Sequence, residues 1–265
     1  MPYISLGVLA FIFFLIFILP LFVTFEPFRL NPNAILDAPS LEHILGTDRL
    51  GRDIFARIIY GGQISLSIGF GSALIASFIG IMMGVSAGYF KGNFDKIFVI
   101  IVDLFLTFPT FFLLLALISY IDASIAILII VISITGWMGT SRLIRQESYN
   151  ISKQPYIKVL KIANVSKWII IFKYFLPLVS PIFFVSFTFA LSGAILAESG
   201  LSYLGLGITP PQMSWGSMLS EGKSVMEIAW WVSFFPGFMI FLVTFALIQL
   251  SDYLQSITNQ KESYN

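Results

Sequence analysis

The sequence predicts an all-α integral membrane protein with six spans, on three observations: composition, hydropathy and the spacing of uncharged stretches. Of 265 residues, 57% are apolar and 11% charged, and the mean hydropathy is +0.91. A soluble chain carries about 25% charged residues; with less than half that share, this one lacks the polar groups to cover a globular surface, which excludes a soluble enzyme. Fifteen Lys and Arg against fourteen Asp and Glu leave a net charge of +1, so no global field draws in nucleic acid. Cysteine is absent and there is one histidine, which argues against disulfides, thiolate chemistry and Cys- or His-rich metal cages.

Each span follows from the need for about 20 mostly apolar residues to cross a hydrocarbon core about 30 Å thick. The first, 4–25, has no basic residue before it and is longer than the apolar part of a signal peptide, so it is expected to stay as an anchor. The second, 64–89, ends at the polar turn Lys91, Gly92, Asn93, Asp95 and Lys96, short enough to join antiparallel neighbours. The third, 97–120, contains Pro109, which is expected to kink it. A turn near Asp122 leads to the fourth, 125–139; the fifth is 168–197 and the sixth 229–250. The chain thus divides into a first transmembrane helix (1–25), an extracytoplasmic loop (26–63) and a core of five spans (64–265) with an inner loop at 142–167 and an outer loop at 198–228.

Placing both termini in the cytoplasm puts Lys91, Lys96, Arg142, Arg145, Lys153, Lys158, Lys161, Lys167, Lys173 and Lys261 inside and leaves Arg29, Arg49, Arg52, Arg57 and Lys223 outside. The excess of basic residues inside fits an even number of spans. The acids of the first loop, Glu26, Asp37, Glu42, Asp48 and Asp53, are expected to pair with its arginines. Lys261 and Glu262 read as a frayed cytoplasmic end.

Helix association in lipid relies on close backbone approach at small residues. Ser72, Ala76, Gly80, Gly84 and Gly88 recur every four residues and predict an intramolecular packing stripe. Two carboxylates lie in or beside spans, Asp103 and Glu198. A charge at the bilayer centre costs about 2.5–3.5 kcal/mol, so each is expected to face protein or water, as a hydrogen-bonded buried group or, with Pro109, at the pathway or its gate. Ser217 to Ser224 reads SMLSEGKS, one glycine short of a phosphate-binding loop, and no ATPase is expected in the chain.

Three polar segments are too particular in composition for plain connectors. In 43–61, HILGTDRLGRDIFARIIYG, Gly46 and Gly51 allow tight turns, and Thr47, Asp48 and Asp53 are suited to capping a helix that carries Arg57. In the inner loop, Pro155 suits a first helical turn and Asn164 a left-handed terminus, while Tyr156, Ile157, Leu160 and Ala163 form one apolar face. Such a helix suits either the membrane surface or a partner. The third segment follows Glu198.

Together these segments resemble the inner-membrane permeases of ATP-binding-cassette (ABC) importers for dipeptides, oligopeptides and nickel, in particular the second-permease subunits, over nearly the whole chain. The resemblance rests on His43, Leu45, Gly46, Thr47, Asp48, Gly51, Arg52 and Asp53 before the second span and on Asp103 and Pro109 in the third. After the fifth it rests on Glu198, Leu201, Ser202, Leu204, Gly205, Leu206, Gly207, Pro210, Pro211, Trp215, Gly216, Met218 and Leu219, and in the sixth on Trp230, Trp231, Phe235, Pro236, Gly237 and Asp252. It implies the type I importer permease fold with a cytoplasmic coupling helix that sits in a cleft of the ATPase, carried here by Pro155, Tyr156, Lys158, Val159, Leu160, Ala163, Asn164 and Trp168. Lys158, Val159, Leu160 and Asn164 stand where the family usually has Glu, Ala, Ala and Gly, Tyr174 stands for a common His, and Ile100 for an Arg that would share a helix face with Asp103.

The implied function is a permease subunit in the bacterial inner membrane. With a homologous permease it would form a pathway for di- and oligopeptides, fed by an extracytoplasmic binding protein and driven by cytoplasmic ATPases that bind ATP and Mg. Import of nickel or a metal chelate is the alternative, with His43 read as structural rather than as a ligand. An ion-coupled secondary transporter would be expected to show internal repeats, and an intramembrane hydrolase would need a paired acid, a Ser with a base, or metal ligands; neither pattern is seen.

Overall fold

The chain is seen in a computed structural model that describes residues 2–263, of which residues 2 and 259–263 are described by backbone alone; the side chains of Lys261 and Glu262 therefore lie outside the described residues. Ten α-helices and short 3₁₀ and π turns make up the described structure. They are α1 (Pro2–Phe13), α2 (Ile54–Phe90), α3 (Gly92–Thr107), α4 (Thr110–Ile118), α5 (Ile125–Ile151), α6 (Pro155–Ile162), α7 (Lys167–Ile170), α8 (Leu176–Tyr203), α9 (Trp215–Gly222) and α10 (Trp231–Ser263).

Five stretches are long and apolar enough to cross a membrane: Tyr3–Leu21, Ile54–Phe90, Ile125–Ile151, Lys167–Tyr203 and Trp231–Thr258. Helices α3 and α4, bent by 83° at their junction, pass the same test only when taken together. The expected kink at Pro109 is thus a break. The pyrrolidine ring pushes the preceding residue out of the helical region, and Phe108 is extended at φ −85, ψ 135.

Local signals explain the boundaries. The Asp53 carboxylate accepts from Ala56 N at 2.8 Å and starts α2 ten residues before its uncharged stretch. Ser124 caps α5 through Ile127 N, and Ser214 with Ser217 forms a capping box on α9. Lys91 and Gly92, at φ 55 and φ 63, turn the chain sharply from α2 into α3. Helix α5 runs on past its apolar part to Ile151, so Arg142 and Arg145 lie on a helix rather than in a loop.

Small hydroxyl side chains line the α2–α5 contact, and large aromatics face outward. Ser65, Ser72, Ser77, Ser133 and Ser141 are buried, whereas Phe70, Phe78, Phe189, Phe238 and Phe245 are exposed, which is the arrangement a bundle adopts when its solvent is hydrocarbon. Helices α2 and α5 run side by side in the same direction along the predicted stripe. Ser133 Oγ donates to Ser72 O at 3.2 Å, and a Cβ on Gly80 or Gly84 would meet Thr140 or Ser141 at under 3 Å. The stripe packs within the chain, as its spacing predicted. Helix α8 packs against α2 and α10, and α1 leans on α10. Helix α9 lies at one end of the bundle and α6 at the other.

Candidate functional site

At the α9 end, residues 31–53 fold back on themselves before α2 begins. Gly46 and Gly51 adopt φ 78 and φ 71, and a side chain on Gly46 would strike the Trp231 ring, 2.7 Å away. That close approach lets Trp231 Nε1 donate to Thr47 O at 3.1 Å. Thr47 Oγ1 donates to Ala34 O at 2.5 Å and accepts from Asp37 N at 2.8 Å, while Thr47 and Asp53 form an isolated antiparallel bridge. His43 Nδ1 lies 2.9 Å from Asp53 Oδ2, so the one histidine is engaged by the residue that caps α2.

This folded loop presents the Asp48 carboxylate, 2% exposed, to Arg57, 1% exposed. Arg57 Nη1 donates to Asp48 Oδ2 at 2.6 Å and Arg52 Nε to the same oxygen at 2.6 Å. Asp48 Oδ1 accepts from Leu50 N and Arg52 N at 2.8 and 3.0 Å. Glu221, from α9, closes the network: its Oε2 accepts from Arg57 Nη2 at 2.8 Å and from Arg52 Nη2 at 3.0 Å. Of the five loop acids expected to pair with the arginines, Asp48 holds Arg52 and Arg57 and Glu26 holds Arg29, whereas Asp53 engages His43 instead. The acid from α9 was missed because it sits inside the SMLSEGKS stretch set aside as a false phosphate loop; its sequence distance from Arg57 hid the pairing.

A second buried acid lies deeper. Glu198 is fully buried; its Oε2 accepts from Ser65 Oγ at 2.9 Å and Ser199 Oγ at 3.4 Å, and its Oε1 from Ser202 Oγ at 2.7 Å. Two of those hydroxyls serve the backbone as well: Ser65 Oγ accepts from Trp215 N at 3.1 Å and Ser202 Oγ from Ile208 N at 3.1 Å. One carboxylate thus joins α2, α8 and the start of α9. The segment after α8 supports the junction. Gly205 turns the chain at φ 81, Gly207 packs tightly on Ser202, and Gly216 lies so close to Ser199 that a Cβ would meet its Cα at 2.6 Å. The Pro210–Pro211 peptide is cis, and Trp215, fully buried, donates through Nε1 to Ile58 O at 3.0 Å.

Asp103 is in neither cluster. It lies on α3, half exposed, with Arg142 Nη2 of α5 at 3.6 Å from its Oδ1. Arg142 thus takes the part for which sequence offered no partner. One step along, Arg145 grips Asp95 in a fork through Nε and Nη2. A cavity of about 220 Å³ beside the α4–α5 contact is lined by small residues, among them Ser72, Ala76, Thr110, Thr135, Gly136 and Gly193; neither Asp103 nor Glu198 lines it.

At the α6 end, Pro155 occupies the first turn of α6 and Asn164 takes φ 54 after it, as their types predicted. The single apolar face expected there is two faces. Ile157 is fully buried against Ile144, Ile151, Ile170, Ile171 and Phe175, and Leu160 packs on the same group. Val159 and Ile162 point away, 63% and 82% exposed, with Tyr156 and Trp168 also exposed. One face anchors the helix to the bundle; the other is apolar and uncovered. Lys158 is exposed beside it.

Residues 76–263 match the family described as binding-protein-dependent transport system inner membrane component. The chain belongs to this family. The permease is 32% identical over 260 residues to the oligopeptide transport system permease protein OppC of Haemophilus influenzae, a match covering 97% of this chain and 84% of that one. To the dipeptide transport system permease protein DppC of Bacillus subtilis it is 37% identical over 224 residues, 84% of this chain and 70% of that protein. To the glutathione transport system permease protein GsiD of Pectobacterium atrosepticum it is 35% identical over 237 residues, with 89% and 77% covered. Its helices also superpose on a solved chain of the MetNI methionine ABC transporter with a TM-score of 0.56 at 16% identity, covering 74% of the permease and 95% of that chain. The fold is therefore that of an ABC importer permease, and the permease is a multi-pass inner-membrane protein.

Proposed function

We propose that the permease imports di- and oligopeptides as one of two homologous membrane subunits, supplied by an extracytoplasmic binding protein and driven by cytoplasmic ATPases that bind ATP and Mg. The observation that carries the substrate class is the agreement among relatives: the oligopeptide, dipeptide and glutathione permeases all match across most of their length. Metal import is the weaker reading. His43 is engaged by Asp53, and no group of three or more His, Asp or Glu suited to a metal lies among the described residues.

The geometry supports coupling through α6. A helix of eight residues, fixed to the bundle by Ile157 and presenting Tyr156, Val159 and Ile162 outward, is built to seat in a complementary cleft. In this reading the α6 end and both termini are cytoplasmic. The α9 end faces the binding protein, with the Asp48–Arg57–Glu221 network holding the surface it meets. Closure of the ATPases on ATP pushes α6, and the bundle switches between inward- and outward-facing states. Hydrolysis is performed by the partners and not by this chain.

The test is uptake of a labelled tripeptide by cells lacking the permease, cells complemented with it, and cells complemented with Val159→Asp. Complementation is expected to restore uptake and Val159→Asp to abolish it while the subunit still inserts. Nickel uptake that follows complementation when tripeptide uptake does not would overturn the peptide assignment. Wild-type uptake by Val159→Asp would overturn the coupling assignment.

A further inference from the structure

At the α6 end, four lysines from three separate segments gather on three neighbouring rings. Lys91, just after α2, places Nζ 4.4 Å from the centroid of Tyr149, and Lys153, before α6, places Nζ 4.3 Å from the same ring. Lys161 lies 4.3 Å over Tyr89, and Lys167 lies 5.7 Å over Phe90. Tyr89 and Phe90 are themselves in edge contact at 5.1 Å, and Tyr149 N would lie 2.8 Å from a Cβ on Gly88, next to Tyr89, so the three rings are neighbours. Ring faces attract cations but carry no net charge of their own. The ion pairs at this end, Asp95 with Arg145 and Asp103 with Arg142, use arginines; among the described residues none of the four lysines has a carboxylate within 4 Å. Burial, which disfavours the charged form, and then the like charge of Lys91 hold the Lys161 ammonium below its ordinary pKa.

The apolar neighbours of the patch say where its counter-ion comes from. Phe90, Phe94, Trp168, Ile169 and Phe172 are all exposed, and the Trp168 and Phe172 rings lie 6.1 Å apart, tilted by 32°. Exposed aromatics beside lysines at the end of apolar helices mark the level where hydrocarbon meets headgroups. Lys161 follows the buried Ile157 by four residues and so shares its side of α6, away from the outward Val159 and Ile162. The patch and the proposed ATPase-binding face are therefore on different sides of the same helix.

We infer that Lys91, Lys153, Lys161 and Lys167 form a binding site for the phosphate of an anionic phospholipid headgroup, whose acyl chains lie along the exposed Phe90, Phe94 and Phe172. The inference requires only that the bundle sits in a membrane and does not depend on which solute is carried. An occupied site ties the loop after α2, the loop before α6 and the start of α7 through one phosphate, which fixes α6 against the bundle.

The experiment is native mass spectrometry of the full-length permease in detergent, titrated with phosphatidylglycerol, with phosphatidylcholine, or with phosphatidylglycerol in the presence of an equal concentration of inorganic phosphate. Wild type is expected to retain phosphatidylglycerol at least about tenfold more strongly than phosphatidylcholine. Changing all four lysines to Gln is expected to remove that preference, and changing all four to Arg is expected to keep it. The Arg variant keeps the charge, so together with a cooperative melt for the Gln variant it separates loss of the site from loss of the fold. Equal retention of both lipids by wild type, or an undiminished preference in the Gln variant, overturns the inference. Displacement of phosphatidylglycerol by inorganic phosphate at comparable concentration overturns the lipid assignment in favour of a soluble phosphate.

Discussion

Arg57 Nη2 donates to Glu221 Oε2 at 2.8 Å across 164 residues of sequence, and the same guanidinium holds Asp48 through Nη1. One arginine therefore clamps the folded segment before α2 to the helix that precedes α10. Burial makes the clamp sensitive to the loss of one side. Arg57 and Asp48 are 1% and 2% exposed, and removing one member of such a pair leaves the other charged and unsolvated.

Replacing Arg57 by Met is accordingly expected to cost about 3–5 kcal/mol and to lower the melting temperature of the purified permease in detergent. Glu221→Gln is expected to cost less than about 1 kcal/mol, because the Glu221 side chain is 34% exposed and solvent screens it. Adding Asp48→Leu to Arg57→Met should recover only part of the loss, since Asp48 also accepts from Leu50 N and Arg52 N. A melt of Arg57→Met at the wild-type temperature would show that the network does not hold the end of the bundle together.

Glu198 separates a structural from a transport role. Its carboxylate accepts from Ser65, Ser199 and Ser202, so Glu198→Leu strands three hydroxyls and is expected to cost about 3 kcal/mol at about 1 kcal/mol for each lost bond. Glu198→Gln keeps one acceptor oxygen and the shape, and is expected to cost about 1 kcal/mol with transport retained. If Glu198→Gln melts like wild type but no longer transports, the carboxylate acts in the pathway and not as a joint.

The stripe on α2 gives a graded test of packing. A side chain on Gly84 would lie 2.7 Å from Ser141 O and 2.8 Å from Ile144 Cβ, so Gly84→Val must push α5 away and is expected to prevent recovery of folded protein. Gly139, on α5, has nothing within 4 Å. Gly139→Ala is expected to raise stability by about 0.5–1 kcal/mol, the usual gain at a helix interior. Equal melts for the two variants would remove the case for α2–α5 contact along this stripe.

What sequence made legible follows from which forces are local. The apolar stretches, Asn164 at its left-handed turn and the small-residue face of α2 are written in neighbouring residues and match the structure, and of the capping candidates Thr47, Asp48 and Asp53 it is Asp53 that caps α2. Pro109 was read as a kink because its effect on its own helix was weighed, whereas its effect on Phe108 decides the break. Arg142 as the partner of Asp103 and Glu221 as the partner of Arg57 come from other helices, so no spacing reveals them. The second apolar face of α6 was missed for a related reason: Val159 and Ile162 are apolar in sequence, but only the position of the bundle says which apolar side is covered.

That division of α6 predicts two phenotypes from two isoleucines five residues apart. Ile157 is fully buried against Ile144, Ile170 and Phe175, so Ile157→Ala opens a cavity and is expected to cost about 2–5 kcal/mol, read as a lower melting temperature of the permease alone. Ile162 is 82% exposed, so Ile162→Ala is expected to leave that melt unchanged. Its effect should appear only with the ATPase subunits present, as weaker co-purification and slower tripeptide uptake. Should Ile162→Ala assemble and transport as wild type while Ile157→Ala melts early, α6 is a structural strut whose outer face carries no partner.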